Sequence, residues 1–348
     1  MIYGHGDDLY RYDGMIRANF SSNIYQHADL GALKRHLAER LDLIGSYPEP
    51  APLRLESALA EESGISTDEV TATNGATEAI YTIAHYLAER FGRDGFTNII
   101  SGPTFSEYAD ACRMYGCRTA ADGHAVSGRK AYWLCNPNNP TGTVRTAESL
   151  LEAADARPDD VFIIDQSYEH YTLEPTIADK EAVNRGNIIL LHSMTKRFCV
   201  PGLRLGYATA CRSISDGLKS LRRPWSVNAL AAEAGTFLIY NNVSVLPPLG
   251  SYLGEAKRLS DMLGAISGIS VMETKTNFML ARIEGRTAAW LKERLAREYG
   301  LLIRDAANFN GLDAHYFRVA AQTPEEDDML ANAVKALAQE AETGGRII

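Results

Sequence analysis

The sequence predicts an α/β protein: a large domain with a mostly parallel sheet between helices, then a smaller α+β domain toward the C-terminus. Three observations carry that expectation. Short apolar runs alternate with helical spacing between residues 69 and 210, as in a parallel sheet covered on both faces. Polar clusters stand at the ends of several of those runs, where ligands sit in such sheets. After residue 245 the alternation gives way to mixed strands and helices over about a hundred residues, a normal domain size. The expected organisation is an arm over 1–30, a large domain over 31–245 and a small domain over 246–348.

Residues 1–30 show little periodicity and several polar punctuators, including His5-Gly6 and the stretch 19–24, so an irregular arm is expected, packed near the small domain and the site. Helical spacing over 30–43 is broken by Gly45-Ser46-Tyr47-Pro48-Glu49-Pro50. A second helix is expected over 52–62, with Leu53, Leu55 and Leu59 near one face. A strand over 69–73 then meets Asn74-Gly75-Ala76-Thr77-Glu78 and a helix to residue 91. A strand over 97–101 turns at Gly102-Pro103-Thr104 into a helix ending near Gly116. The run 131–135 enters Asn136-Pro137-Asn138-Asn139-Pro140-Thr141-Gly142, and three more strands follow at 161–165, 187–191 and 206–210. Helices are expected over 226–240 and 246–267. The small domain reads as strand at 271 and 277–283, helix 288–299, strands 301–304 and 315–320, and a closing helix 324–341.

Composition narrows the function. A formal charge of −9 argues against a nucleic-acid surface, which needs clustered Lys and Arg. No run approaches the roughly twenty apolar residues that span a bilayer. The start, Met1 to Asp8, has neither a basic n-region nor an apolar core, so no signal peptide and a cytoplasmic location are expected. Five scattered cysteines read as reduced thiols, and eight histidines show no pairing at metal-ligand spacing, so no metal is expected.

The chemistry concentrates at strand ends. After the run 187–191, Ser193 precedes Lys196 by three residues and Arg204 follows it by eight. A desolvated lysine can lose its proton and condense with an aldehyde. Ser193 and Arg204 could hold a phosphate beside it. Asp165 ends an apolar run, where a carboxylate is expensive to desolvate unless it meets a cation; a turn aspartate is the plainer alternative. Gly75-Ala76-Thr77 opens a helix whose free amides suit a phosphate, although Thr77 could equally be an N-cap. Asn138-Asn139-Pro140-Thr141-Gly142 could present an amide, with Tyr168 as a second donor, and Phe105 could stack on a flat ring.

Taken together these segments resemble the class I/II aminotransferase superfamily, enzymes of fold type I that use pyridoxal 5'-phosphate, and the resemblance covers nearly the whole chain. It implies that fold and that cofactor. It implies Lys196 as the lysine joined to the cofactor aldehyde and Asp165 as partner of its ring nitrogen. Asn139 and Tyr168 would hold the ring hydroxyl, Phe105 would stack, and Gly75, Ala76, Thr77, Ser193 and Arg204 would bind the phosphate. Tyr47 would reach the phosphate of a neighbouring subunit, so a homodimer is implied. Within the superfamily the chain is similar to the branch of histidinol-phosphate aminotransferases and their decarboxylase siblings. Three segments favour the siblings: the His5-Gly6 arm with 19–24, the stretch 223–231, and 302–320 with its arginine pair. That likeness implies a small phosphorylated amino-acid substrate. Arg318 would take the carboxylate and Arg304 the phosphate, each by charge-assisted hydrogen bonds, Asn139 would also meet the substrate, and His5 and Asn23 would close the site. The chain departs from its relatives at Asp165-Gln166-Ser167, at Asp7 and Asp8, and at His192, where an arginine is common.

Overall fold

The computed structural model describes residues 6–344. Among the described residues thirteen strands appear in chain order: β1 (Ala18–Asn19), β2 (Val70–Thr73), β3 (Phe96–Ile99), β4 (Thr119–Ala120), β5 (Arg129–Cys135), β6 (Val161–Asp165), β7 (Ile188–His192), β8 (Gly206–Ala210), β9 (Ile269–Val271), β10 (Phe278–Ile283), β11 (Leu301–Leu302), β12 (Arg304–Asp305) and β13 (Tyr316–Ala320). The large sheet has the order β2-β8-β7-β6-β5-β3-β4, parallel except that β8 runs against both neighbours. This is the expected mostly parallel sheet between helices.

Every residue of β6 and β7 is buried. Successive side chains point to opposite faces, so Ile163, Ile189 and Leu191 pack with Ile80 and Ile83 of the helix Ala76–Phe91. Phe162, Ile164, Ile188 and Leu190 pack on the other face with Leu150 of the helix Ala147–Asp155. Each such side chain contributes about 1.5–3 kcal/mol. Burial on both faces is why these strands read as unbroken apolar runs.

The small sheet is antiparallel, in the order β12-β13-β10-β9. Its core joins Phe278, Phe317 and Val319 to Leu291, Leu330 and Val334. The expected strand over 301–304 is two strands in two sheets. Leu301 and Leu302 pair in parallel with Ala18 and Asn19 of the arm, while Arg304 lies opposite Arg318. The arm is therefore less irregular than expected. The Phe20 amide donates to Leu302 O at 2.8 Å, and Phe20 O accepts from the Ala320 amide at 2.9 Å. A buried Lys292–Asp8 pair at 2.6 Å fastens it further.

Candidate active site

The carboxyl ends of β2, β5, β6 and β7 open on one cavity of about 280 Å³. Its lining includes Lys196, Asp165, Tyr168, Asn139, Phe105, Ser193, Arg204, Ala76, Thr77 and Arg318, all singled out from the sequence. It also includes Asp7, Ser21 and Ser22 of the arm, and Cys135, which sequence reasoning missed. Nothing in the spacing of the arm marks those residues; pairing with β11 brings them there.

Gly75 is the N-cap of the helix Ala76–Phe91, with φ +83 and no side-chain cap. Thr77 is thus inside the first turn rather than a cap. A Cβ on Gly75 would come 2.7 Å from Arg204 Nη2, so only glycine allows the guanidinium to lie over the turn. Free amides at a sixteen-residue helix start, with Ser193 and Arg204 beside them, make an anion cup.

Lys196 lies on the short helix Met194–Arg197 after β7, and its Nζ donates to Ser22 O at 2.8 Å. Burial, followed by the charge of Arg318, lowers its pKa to about 8. The Asp165 carboxylate is buried. Its Oδ1 accepts from the Ser167 amide at 2.9 Å and its Oδ2 from the Tyr108 hydroxyl at 2.7 Å. Tyr168 is buried against Phe278, ring centroids 4.9 Å apart, and burial pushes its phenol up to about 12.

The string Asn136–Gly142 divides its work. Asn138 builds the turn, donating to Pro103 O at 3.0 Å and Thr141 Oγ1 at 2.8 Å. Asn139 faces the cavity and its Oδ1 accepts from Arg318 Nη1. Arg318 Nη2 donates to Ser21 O at 2.6 Å, and burial lowers the guanidinium pKa to about 10.

The other residues singled out fall elsewhere. Arg304 does not line the cavity. Directly paired residues on antiparallel strands share a face, which sets it beside Arg318, and its Nη1 and Nη2 donate to Asp305 O at 2.5 Å and Asn308 Oδ1 at 2.6 Å. Asn23 is fully buried with φ +58, and its side chain lies toward the Tyr168 hydroxyl. Tyr47 is 85% exposed, its ring 5.2 Å from that of Trp225, away from its own chain's cavity. His5 lies outside the described residues. Among the described residues no group of His, Cys, Asp and Glu is placed to hold a metal ion, and no helix is long and apolar enough to cross a membrane.

A family model for class I and II aminotransferases matches residues 16–334. The chain belongs to that family. Threonine-phosphate decarboxylase of Salmonella typhimurium strain LT2 is 31% identical over 338 residues, covering 91% of this chain and 90% of the relative. Histidinol-phosphate aminotransferase of Thermoanaerobacter sp. strain X514 is 29% identical, covering 84% of this chain and 85% of the relative. The crystal structure of L-threonine-O-3-phosphate decarboxylase from Porphyromonas gingivalis matches with a TM-score of 0.87 at 33% identity, over 92% of this chain and 99% of that one.

Pyridoxal 5'-phosphate is the cofactor of this aminotransferase family, and the site fits it. The cup of Gly75, Ala76, Thr77, Ser193 and Arg204 suits its phosphate, and Gly75 leaves the space a Cβ would fill. A lysine amine near neutrality suits its aldehyde. Asp165, which has two donors but pairs with no Lys, Arg or His among the described residues, suits a protonated ring nitrogen.

Proposed function

We propose that the chain decarboxylates L-threonine O-3-phosphate to (R)-1-amino-2-propanol O-2-phosphate in cobalamin biosynthesis, as a cytoplasmic homodimer. The observation that carries this reading is a buried arginine, Arg318, held by Asn139 and facing the same cavity as Lys196. It is supported by likeness to threonine-phosphate decarboxylases across nine-tenths of the chain. When bound, pyridoxal 5'-phosphate supplies an electron sink for whichever bond at the substrate α-carbon stands perpendicular to its ring, the carboxylate bond for decarboxylation or the hydrogen for transamination.

In this reading Arg318 grips the substrate carboxylate by paired, charge-assisted hydrogen bonds. Arg304 takes the substrate phosphate by turning from Asn308. Lys196, neutral in part at physiological pH, accepts the substrate amine's proton and later delivers a proton to the α-carbon. Asn139 and Tyr168 meet the ring hydroxyl, Phe105 covers the ring face, and Asn23 and His5 close the site from the arm. Tyr47 reaches the cofactor phosphate of the second subunit. The arm over 1–30, a large unit over 31–245 and a small unit over 246–348 are the proposed organisation.

Likeness to histidinol-phosphate aminotransferases supports a second reading, transamination of histidinol phosphate. Two assays separate them: CO2 release from threonine phosphate, and glutamate formation from histidinol phosphate with 2-oxoglutarate. The first should be positive and the second negative. No CO2 release would overturn the decarboxylase reading. The visible absorbance acquired with pyridoxal 5'-phosphate should vanish in Lys196→Ala.

A further inference from the structure

We propose that Tyr108 is a positioning residue for Asp165, its hydroxyl fixing the carboxylate in the orientation that the cofactor's ring nitrogen meets. The inference rests on the cofactor reading above and goes beyond it to a residue outside the cavity lining.

The two carboxylate oxygens are held separately. Ser167 N–H occupies Oδ1 at 2.9 Å and Tyr108 O–H occupies Oδ2 at 2.7 Å. One donor on each oxygen removes rotation about the last side-chain bond and leaves a lone pair on each free to face the cavity. The backbone amide alone would leave the carboxylate free to swing. Tyr108 has no such freedom. It is fully buried on the helix Glu107–Met114, stacked on Trp133 with centroids 5.5 Å apart, and Trp133 Nε1 is tied to Asn98 Oδ1 at 2.8 Å.

The same tyrosine meets Phe105 edge-on, 5.7 Å between centroids and 82° between planes. One aromatic stack thus sets both the residue that covers a ring in the cavity and the acid that meets its nitrogen. Three proton carriers face Asp165: Tyr108, Cys135 at the end of β5, and Tyr168 from its own segment. Burial raises the pKa of all three, so each stays neutral.

The test uses Tyr108→Phe, which keeps the ring and removes the donor. The apparent affinity for pyridoxal 5'-phosphate, read by fluorescence quenching, should weaken about threefold to tenfold, the size of one ordinary intramolecular hydrogen bond. The pH midpoint of the bound cofactor's visible absorbance should rise by about half a unit, because a ring nitrogen less firmly protonated withdraws less from the lysine end. Tyr108→His, which keeps a ring and a donor, should recover part of both, and it carries the test should the Phe variant not fold. In an Asp165→Asn background Tyr108→Phe should change neither reading. Unchanged affinity and midpoint, or equal shifts in the Asp165→Asn background, overturn the inference while leaving the cofactor reading intact. A wild-type chain that takes up no cofactor overturns both.

Discussion

At the scale of single residues, the site depends on Lys196 being neutral often enough to react. At pH 7 a lysine of pKa about 8 is unprotonated in about a tenth of molecules, against about three in ten thousand at the ordinary 10.5. Burial is the larger cause of the shift and Arg318 the next, while Asp7 opposes both. Arg318→Gln should therefore move the amine's pKa up, and Asp7→Asn should move it down. The check is the pH dependence of the rate at which cofactor-free protein gains colour after adding pyridoxal 5'-phosphate. Midpoints that stay put, or both move the same way, contradict this account of the lysine. Residues of this kind were largely legible beforehand because their types are costly where they stand: a lysine, an aspartate and an asparagine pair at the ends of apolar runs. Asp7 and Ser22 were not, since an arm without periodicity offers no register from which to place a side chain.

At the scale of elements, the end of β7 carries a buried charge cluster that no sequence pattern announced. His192 Nδ1 lies 2.8 Å from Glu169 Oε1 and its Nε2 lies 3.0 Å from Asp179 Oδ1. Its ring stacks on Tyr207 at 4.5 Å. Asp179 also accepts from Ser63 at 2.6 Å and Thr209 at 2.6 Å. The histidine ties β7 to the turn Glu169–Tyr171 and the helix Asp179–Val183. The two carboxylates outweigh burial and raise its pKa to about 10, while the histidine holds both carboxylates below their ordinary range. The histidine's share of stability is present below its unfolded pKa near 6.5 and is lost as pH rises through about 10. The carboxylates' share is present above their unfolded values and is lost as pH falls below them. His192→Gln should thus cost about 3 kcal/mol near pH 7, by leaving two half-buried carboxylates, 18% and 12% exposed, without a cation. That cost should shrink in acid, where they take up protons. Denaturant midpoints at pH 7 and pH 4 check both statements; a small or pH-independent loss defeats them.

Strand direction belongs to this scale too. The runs at 161–165 and 206–210 match β6 and β8 to the residue, yet nothing in the second revealed that it runs antiparallel. The reason lies in the connection. A parallel return is usually made through a full helix, and the thirteen residues between β7 and β8, long enough for a crossover, hold only the four-residue helix Met194–Arg197 and the turn Pro201–Leu203. The chain spends that segment presenting Lys196 and Arg204 instead. Two-residue strands such as β4, and short half-exposed helices such as Asp179–Val183, escaped because they hold too few residues to show a period.

At the scale of the whole molecule, Tyr47 is the residue whose place a single chain cannot explain. It is 85% exposed, and Leu41, Ile44, Leu53 and Trp225 are exposed large apolar side chains near it in sequence or in space. The proposed homodimer would cover these side chains, as an interface covers exposed apolar groups, and carry Tyr47 to the second site. Mixed dimers can separate reach across the interface from a role within one chain. Pair a Lys196→Ala protomer with a Tyr47→Ala protomer. If the tyrosine serves the neighbouring site, the Tyr47→Ala protomer keeps its lysine and receives the intact tyrosine of its partner, so one site of wild-type affinity is restored. If the tyrosine serves its own chain, one site lacks the lysine and the other the tyrosine, and neither is whole. Cofactor titration of differently tagged, co-purified mixed dimers should show about half the wild-type sites at full affinity, the fraction following from one intact site in each pair. Weak binding at every lysine-containing site would place Tyr47 in its own chain, full affinity in a dimer of two Tyr47→Ala protomers would place it outside the site altogether, and chains that elute as monomers would remove the interface itself.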